Sequence, residues 1–575
     1  MKKKLICLIL SLVMLTACFA GCGAKDDKER NDDIDQTQFE MAKTLSMYML
    51  CEKPVSAEQE LALEDAINSI TKSKFKTAVD LRFYTADEYY VQLEKSFADR
   101  DAAAEAGTLK KEEELTEDIT YVDEYGITQI KYPTVEGYQV DIFYVGGQEK
   151  FLKYMDEGRL SRLDEELSSS SKILNDYISP EYLKYMKSSN NGTYAIVNND
   201  VIGEYTYLLL NKDILAKTRY NTPNGLKEFT SLTCEATQSV LEQVKSEYKE
   251  YVPLYSCLGA DGIAATGVRY WGIDENGNLS DDFSLLMGSY NVGSKYKTVE
   301  SFISMMNGLG SSRFKDQLKI LKSYKANGYF GTEKDLEDGK AAVAYVKGGA
   351  EMFDKYGEDY EVVVIENPTI KTADLYENMF AVSSTAQDLS RAMEIICLLN
   401  TDEELRNLFQ YGIEGVNYEM VDSDYLDENE KPYKVVRRLN EDYMMDPAKT
   451  GNTLLTYTLE GGNPTFKEYI KQQNRDVVVD IAMGFSLMYG SNPVNMDTMQ
   501  TIREVSKTVY DKLVAITYDN FDEQYSAIAS EFGQNEDVRS MLSMLEPDGE
   551  DTPVSFNYMY IEWAKSVGIY VEEEE

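Results

Sequence analysis

The chain contains no histidine. That removes the commonest general base and the commonest zinc ligand. Ser-His-Asp and Cys-His catalysis are therefore unavailable within it. Cysteine is scarce, and the four that lie beyond residue 22, Cys51, Cys234, Cys257 and Cys397, show no CxxC spacing, which argues against a thiolate zinc site. Cys397 sits in the apolar run Ala392–Leu399 and is expected in a core. A disulfide among the four is left open by their spacing. Cations are few against anions, 58 to 100, for a net charge of −42. Such a body repels nucleic acid backbones and anionic lipid. The acids are spread along the chain, so a solvated acidic surface is the plain reading, and no nucleic acid partner is expected. There is no GxxxxGK[ST] phosphate loop. No run beyond residue 22 is long and apolar enough to span a bilayer, which takes roughly 20 residues.

What is present begins at the amino terminus. Lys2–Lys4 precede the apolar run Leu5–Leu15, then Leu15-Thr16-Ala17-Cys18 and Ala20-Gly21-Cys22. A basic stretch, a short apolar stretch and a small-residue site make an export signal. A cysteine at the cleavage point adds attachment of a diacylglyceryl group, as in a bacterial lipoprotein. Leu15, three before Cys18, favours Cys18 over Cys22 as the lipid attachment site. Residues 1–17 are thus read as a signal peptide and 18–43 as a polar tether. The mature body would sit on the extracellular face of the cell membrane, touching it through the lipid alone.

At 575 residues with 43% apolar content, two or more lobes are expected. Strand-like stretches at 44–51, 79–84 and 139–145 alternate with helical patterns from Ser56 to about Ile70, from Asp87 to Phe97, and from Gly146-Gly147 to Gly158. Residues 98–137 read as a charged insertion with a strand near Ile127–Tyr132. Strands follow at 193–197, 205–211, 341–346, 360–365 and 380–382, with helical patterns at 225–250, 299–326, 386–399 and 402–411. From 436 onward the chain reads as mainly helical, with loops near 448–463 and 545–554. Strand–helix repeats of this kind make parallel sheets. The expected fold is α/β, with lobe 1 at 44–200 (carrying the insertion) and lobe 2 at 201–377. Residues 378–435 are the return crossing and lobe 1 helices, and 436–575 a helical part contributing to both lobes. A chain that crosses more than once between two lobes makes a hinge around a cleft.

Several stretches resemble the extracellular solute-binding proteins of bacterial ABC importers, family 1, the sugar-binding type. They are VDIFYVGGQEKFLKYMDEGRLSRLDEEL (140–167), NGTYAIVNNDVIGEYTYLLLNKDIL (191–215), EDGKAAVAYVKGG (337–349), NMFAVSSTAQDLSRAMEIICLLNTDEELRNLFQYGIEGVNYEMV (378–421) and GNTLLTYTLEGGNP (451–464). Val197 stands where the family usually has the proline of its hinge motif. The resemblance implies a two-lobe, periplasmic-binding-protein-like fold of type II. It also implies capture of a sugar without a cofactor or catalysis, and delivery to ABC permease transmembrane subunits. A monomer is the default.

Sugar recognition needs flat aromatic faces for ring C–H groups and planar amides or carboxylates for adjacent hydroxyls, and it favours loops at strand carboxyl ends. That rule selects Glu52 and Lys53 after the first strand, Tyr84 and Asp87 (with Tyr89) after the second, and Tyr144 and Gln148 (with Gly147) after the third. At the first crossing it selects Asn198, Asn199, Glu204 and Tyr205. In the second lobe it selects Tyr270, Trp271 and Tyr345, and in the YGIEG turn Tyr411 and Glu414 (with Asn417). Every such tyrosine, one of 43, has packing as its ordinary alternative. Two other functions stay open at this point. One is a secreted glycoside hydrolase, which needs only a carboxylate pair; the other is a surface lipoprotein that holds glycans for a different transport system. Peptides and other small polar solutes stay open as ligands.

Overall fold

The computed structural model describes residues 41–110, 119–122, 128–178, 182–183, 192–260, 262–266, 269–270, 272–273, 279–280, 283–288, 305–370, 373–479, 493–536 and 538–539. The signal, the lipid-site cysteines, most of the tether, Trp271 and the 545–554 loop lie outside them. The principal strands, in chain order, are β1 (Lys43–Cys51), β2 (Thr77–Thr85), β3 (Ile119–Val122), β4 (Thr128–Lys131), β5 (Ile142–Val145), β6 (Ile196–Val197), β7 (Tyr205–Asn211), β8 (Val252–Ser256), β9 (Ala341–Gly348), β10 (Tyr360–Glu366), β11 (Met379–Val382), β12 (Tyr418–Leu426) and β13 (Pro432–Arg438). The principal helices are α1 (Ala57–Phe75), α2 (Ala86–Glu105), α3 (Gln148–Asp156), α4 (Glu235–Glu247), α5 (Ser312–Ala326), α6 (Leu389–Thr401), α7 (Glu403–Tyr411), α8 (Phe466–Asp476), α9 (Pro493–Ala515) and α10 (Phe521–Gln534). The chain divides into two compact units: Met1–Asp200 with Glu377–Pro464, and Val201–Tyr376 with Thr465–Glu575.

In the first unit five strands run in the order β2-β1-β5-β11-β6. β1 is parallel to β2 along its whole length, from Lys43 opposite Thr77 to Cys51 opposite Thr85, and parallel to β5. β11 is antiparallel to β5 and to β6. The expected all-parallel sheet is thus corrected to a mixed one. The chain leaves this unit after β6 and re-enters it at β11, so β11 starts at the edge where β5 and β6 end. Short apolar strands with buried residues on both faces put this sheet inside a helical cover.

Local sequence explains the helices. Ser56 caps α1 by accepting from Gln59 N at 3.2 Å, with Glu58 and Glu60 in the first turn and Lys72 and Lys74 in the last. Its buried face includes Leu63, Ile67, Thr71 and Phe75, each four residues after the last, so the helix runs past Ile70. α2 likewise continues to Glu105, into the stretch read as an insertion, where alanines favour it. The remainder of that stretch carries the β3–β4 hairpin. α6 is buried from Arg391 to Thr401. Asp141 is fully buried at the sheet's other edge and accepts from Ser46 N (2.7 Å), Gln387 N (2.7 Å) and the Gln139 amide, tying β1 and the approach to α6 onto β5.

The second unit centres on β10-β7-β9-β8, with β8 parallel to β9 and β7 antiparallel to β9 and β10. β7 is buried on both faces. Leu208 and Leu210 join a core with Val240, Leu241 and Val244 of α4 and Leu321 and Tyr324 of α5. Tyr205, Tyr207 and Leu209 pack on the opposite side with Ala344, Val346 and Tyr360.

Three further expectations are corrected. Among the described residues of the 299–326 stretch, a strand lies at Met305–Asn307 and the α-helix begins at Ser312, where Ser311 caps α5. The 225–250 stretch holds a 3₁₀ turn and then α4. Residues 436–447, expected helical, are not: β13 pairs with β12 as a hairpin and runs to Arg438, and loop follows; the loop expected near 448–463 is present, with 3₁₀ turns at Pro447–Lys449 and Thr453–Leu455. Helix resumes with α8, in the second unit. No helix among the described residues is long and apolar enough to cross a membrane. Cys51, Cys234, Cys257 and Cys397 form no disulfide, and Cys397 is fully buried.

Candidate functional site

One edge of the first unit's sheet collects the carboxyl ends of β1, β2, β5 and β6 and the amino end of β11. After β1, Glu52 and Lys53 are exposed. The Glu52 N–H donates to Met444 O at 3.1 Å, and Lys53 pairs with Glu441 at 2.5 Å. After β2, Tyr84 is half-buried beside the Tyr48 ring, centroids 5.9 Å apart, and burial pushes its hydroxyl pKa up. Asp87 is exposed in the first turn of α2. Tyr89, by contrast, is fully buried, and its hydroxyl is spent on the backbone of β5, taking Tyr144 N–H at 2.7 Å.

The β5 end is the most elaborated. Tyr144 is buried, and its hydroxyl donates to Asn378 Oδ1 at 2.7 Å, just ahead of β11. Burial, with Tyr90, Asp446 and Glu377 nearby, raises its pKa strongly. Gly146 lies under that ring: a Cβ there would stand 2.6 Å from the Tyr144 hydroxyl. Gly147 has φ +89°, a left-handed conformation open to glycine, and forms the turn into α3. Gln148, the first residue of α3, is buried, and neither its Oε1 nor its Nε2 has a hydrogen-bond partner among the described residues. After β6, the Asn198 N–H donates to Asn378 O at 2.9 Å and its Nδ2 to Ala448 O at 2.8 Å, while its Oδ1 is unpartnered among the described residues. Asn199 reaches Asn452 Oδ1 at 3.4 Å, and its carbonyl accepts from Thr453 N at 2.9 Å.

In the second unit the carboxyl ends of β8, β9 and β10 lie beside the start of β7. Glu204 is exposed there. Tyr205 is buried, and its hydroxyl donates to Asp476 Oδ2 at 2.7 Å. Tyr345 is buried in the α4/α5 core, and burial raises its pKa. Thr206 donates to Glu366 Oε2 at 2.8 Å, and Lys347 is exposed at the end of β9. Tyr207 donates to Gly349 O at 2.9 Å, and Gln473 Oε1 accepts from Ala350 N at 3.1 Å. Tyr270 lies in a short strand, and its side chain, like Trp271, is outside what is described.

Tyr411 and Glu414 do not join these strand ends. Tyr411 packs with Tyr418 and Val436 and donates to Tyr457 O at 2.6 Å; Glu414 is exposed in the turn that follows α7. Sequence reasoning missed Asn378, Glu366, Lys347 and Gln473. Asn378 carried no signal, since its place depends on the direction of β11. Glu366 and Lys347 close or nearly close strongly apolar strands and follow the same strand-end rule as the residues that were selected.

Chemically, the first unit's edge offers neutral amides and a phenol flanked by exposed carboxylates. Amides carry both donors and acceptors in one plane, which matches vicinal hydroxyls. No group of three metal-ligating side chains occurs among the described residues. A cavity of about 410 Å³ lies elsewhere, toward the carboxyl end of α3, lined by Glu94, Phe97, Asp101, Lys153 and Arg159. Its charges pair among themselves, Lys153 with Glu94 and Arg159 with Asp101, each at 2.7 Å.

No family model matches the chain. Over 501 residues it is 22% identical to a carbohydrate ABC transporter substrate-binding protein of Streptococcus pneumoniae serotype 4 (strain ATCC BAA-334 / TIGR4), covering 84% of this chain and 85% of that protein. Among solved structures, it aligns with the N-glycan transport solute binding protein NgtS of Streptococcus pneumoniae at 19% identity and TM-score 0.49, covering 91% of this chain and 99% of that one. NgtS in complex with Man5GlcNAc aligns at 19% and 0.39, covering 92% and 100%. An extracellular solute-binding protein of Bifidobacterium longum subsp. infantis aligns at 13% and 0.44, covering 92% and 98%. The resemblance carried by the residues and the similarity along most of the chain coincide: this chain is similar to the substrate-binding proteins of carbohydrate ABC transporters.

Proposed function

We propose that this chain is the substrate-binding lipoprotein of an ABC importer, capturing an oligosaccharide outside the membrane and passing it to the permease transmembrane subunits. The observation that carries the reading is the row Tyr144, Gln148, Asn378 and Asn198 at one strand edge, where a buried phenol, the buried amides of Gln148 and Asn198 and the partly buried amide of Asn378 lie at neighbouring strand ends, in a chain whose curated relative is a carbohydrate importer's binding protein. A buried amide left unpaired costs about 1–3 kcal/mol, and ligand hydroxyls match what Gln148 and Asn198 offer. In the second unit Glu204 and Lys347, exposed at strand ends, are the corresponding candidates.

Binding here involves no bond cleavage. Isothermal titration against a panel of oligosaccharides differing in linkage and length, Man5GlcNAc and maltopentaose among them, tests capture; heat of binding is expected for at least one. Thin-layer chromatography of the same mixtures tests the hydrolase alternative, which any released sugar would favour. A change of conformation on capture is expected, and small-angle scattering before and after adding the bound oligosaccharide checks it. Lipid attachment at Cys18 predicts that Cys18→Ala abolishes labelling by a fatty-acid probe in cells while Cys22→Ala does not.

A further inference from the structure

We propose that Arg406 is a positioning residue for the first unit's strand-end edge, acting through the loop at 446–453. The proposal rests on the reading of that edge as ligand-contacting.

Arg406 lies on α7 and is fully buried. In a chain with 100 acidic residues, its guanidinium takes three neutral oxygens. Nε donates to Asn452 O at 3.1 Å, Nη1 to Gln410 Oε1 at 3.3 Å and Nη2 to Pro447 O at 2.7 Å. Two of those acceptors are backbone carbonyls at opposite ends of one loop. Gln410, a turn further along the same helix, grips the loop again: Nε2 donates to Met445 O at 2.7 Å, and Oε1 accepts from Thr450 Oγ1 at 2.8 Å. Gly451, at φ +131°, lets the loop pass against Leu399 O and the Arg406 side chain.

The same loop touches the edge. Ala448 O receives the Asn198 amide, and the Thr453 N–H and hydroxyl donate to Asn199 O, at 2.9 and 3.2 Å. Just before the loop, Met444 O accepts from Glu52 N. The segment has no strand or α-helix of its own, so its shape is set by side chains from outside it. A planar fork with five donors can hold separate carbonyls in fixed directions; an ammonium on a flexible stem cannot. Arg406 therefore fixes where Asn198 presents its free Oδ1.

The test compares wild type with Arg406→Lys, Arg406→Met and Thr450→Val, the last a mild change that removes the hydroxyl that Thr450 shares among Gln410 Oε1, Asp446 O and Pro447 O. Hydrogen exchange is read at the Asn452 and Thr453 amides, which donate to Leu399 O and Asn199 O. We expect exchange there to rise about tenfold or more in Arg406→Met, less in Arg406→Lys, and least in Thr450→Val, with β7 amides unchanged. Affinity for Man5GlcNAc, or for the panel oligosaccharide that wild type binds, is expected to fall in the same rank order, by about tenfold for Arg406→Met. Combined with Asn198→Ala, the Arg406→Lys loss should be less than additive. Loop exchange no faster than elsewhere in the unit overturns the proposal. So does a loosened loop with unchanged affinity, or full additivity with Asn198→Ala. A wild-type chain that binds no panel member instead overturns the ligand reading, and loop exchange alone then decides whether Arg406 fixes the loop.

Discussion

Gln59 and Asn417 exchange two buried side-chain hydrogen bonds, Gln59 Nε2 to Asn417 Oδ1 at 3.0 Å and Asn417 Nδ2 to Gln59 Oε1 at 2.9 Å. This amide pair fastens the turn after α7 to the first turn of α1. Asn417 Oδ1 also accepts from Ile413 N at 2.9 Å, and it occupies the space a Cβ on Gly412 would need. Gly412 itself has φ +82°, so glycine is required there twice over. Asn417→Ala is expected to destabilise the protein by about 2 kcal/mol, because it strands Gln59 and the Ile413 N–H together. Gln59→Ala should cost less. The double variant should show a coupling of about 1 kcal/mol in urea unfolding. Simple additivity would mean the pair does not hold the turn.

Gly146 and Gly147 are adjacent but constrained differently. A methyl at 146 meets the Tyr144 hydroxyl, whereas one at 147 meets nothing and strains only the backbone. Gly147→Ala is therefore expected to lower stability by about 1–2 kcal/mol. Gly146→Ala should displace the Tyr144 ring from Asn378 and weaken oligosaccharide binding, about tenfold, with a smaller effect on unfolding. Titration and thermal denaturation of both variants check this; equal losses of both kinds would refute the distinction.

Tyr144→Phe removes the hydroxyl that donates to Asn378 Oδ1 at 2.7 Å and, more weakly, to Glu377 O at 3.3 Å, and leaves the ring in place. Its expected cost is about 1 kcal/mol in stability and a several-fold loss of affinity, since Asn378 also anchors Asn198 through its carbonyl. Tyr205→Phe in the second unit, which cuts the bond to Asp476, should match it in stability. Denaturation and titration of the pair separate the two effects.

Much of the fold was readable because β1, β5, β7 and β9 are short apolar runs bounded by glycine or polar residues, buried on both faces. What period cannot encode is direction. Nothing in Met379–Val382 says that it runs against β5. The β12–β13 hairpin escaped notice because YEMVDSDYL places acids where a half-buried strand would alternate cleanly. Residues 436–447 lack the helix expected of them because the hairpin strand β13 runs to Arg438 and the loop after it is held by side chains from outside, Gln410 on Met445 O and Arg406 on Pro447 O. The strand-end rule led to Tyr144, Gln148 and Asn198, but Asn378 became visible only once β5, β11 and β6 were known to be neighbours. For the tyrosines, sequence cannot say whether a hydroxyl is already engaged, as those of Tyr205 and Tyr411 are.

Glu64 gives a pH dependence with a definite sign. Its Oε1 accepts from Leu81 N at 2.7 Å, but burial, with Asp80, Glu60 and Asp65 nearby, pushes its pKa up from 4.5 to about 7. The folded pKa thus exceeds the unfolded one, and between these values the native state binds more protons than the unfolded chain. Glu64's contribution is fully present below pH 4.5 and is lost as pH rises through about 7. Glu64→Gln keeps the acceptor for Leu81 and cannot ionise. The variant should therefore gain on wild type as pH rises from 5 to 8. The gain should be on the order of 1 kcal/mol, reduced from the full linkage value because the carboxyl is partly solvated. Urea unfolding of both proteins across that range checks it; a difference that shrinks with rising pH would show that the carboxylate, not the acid, is the favoured form in the fold.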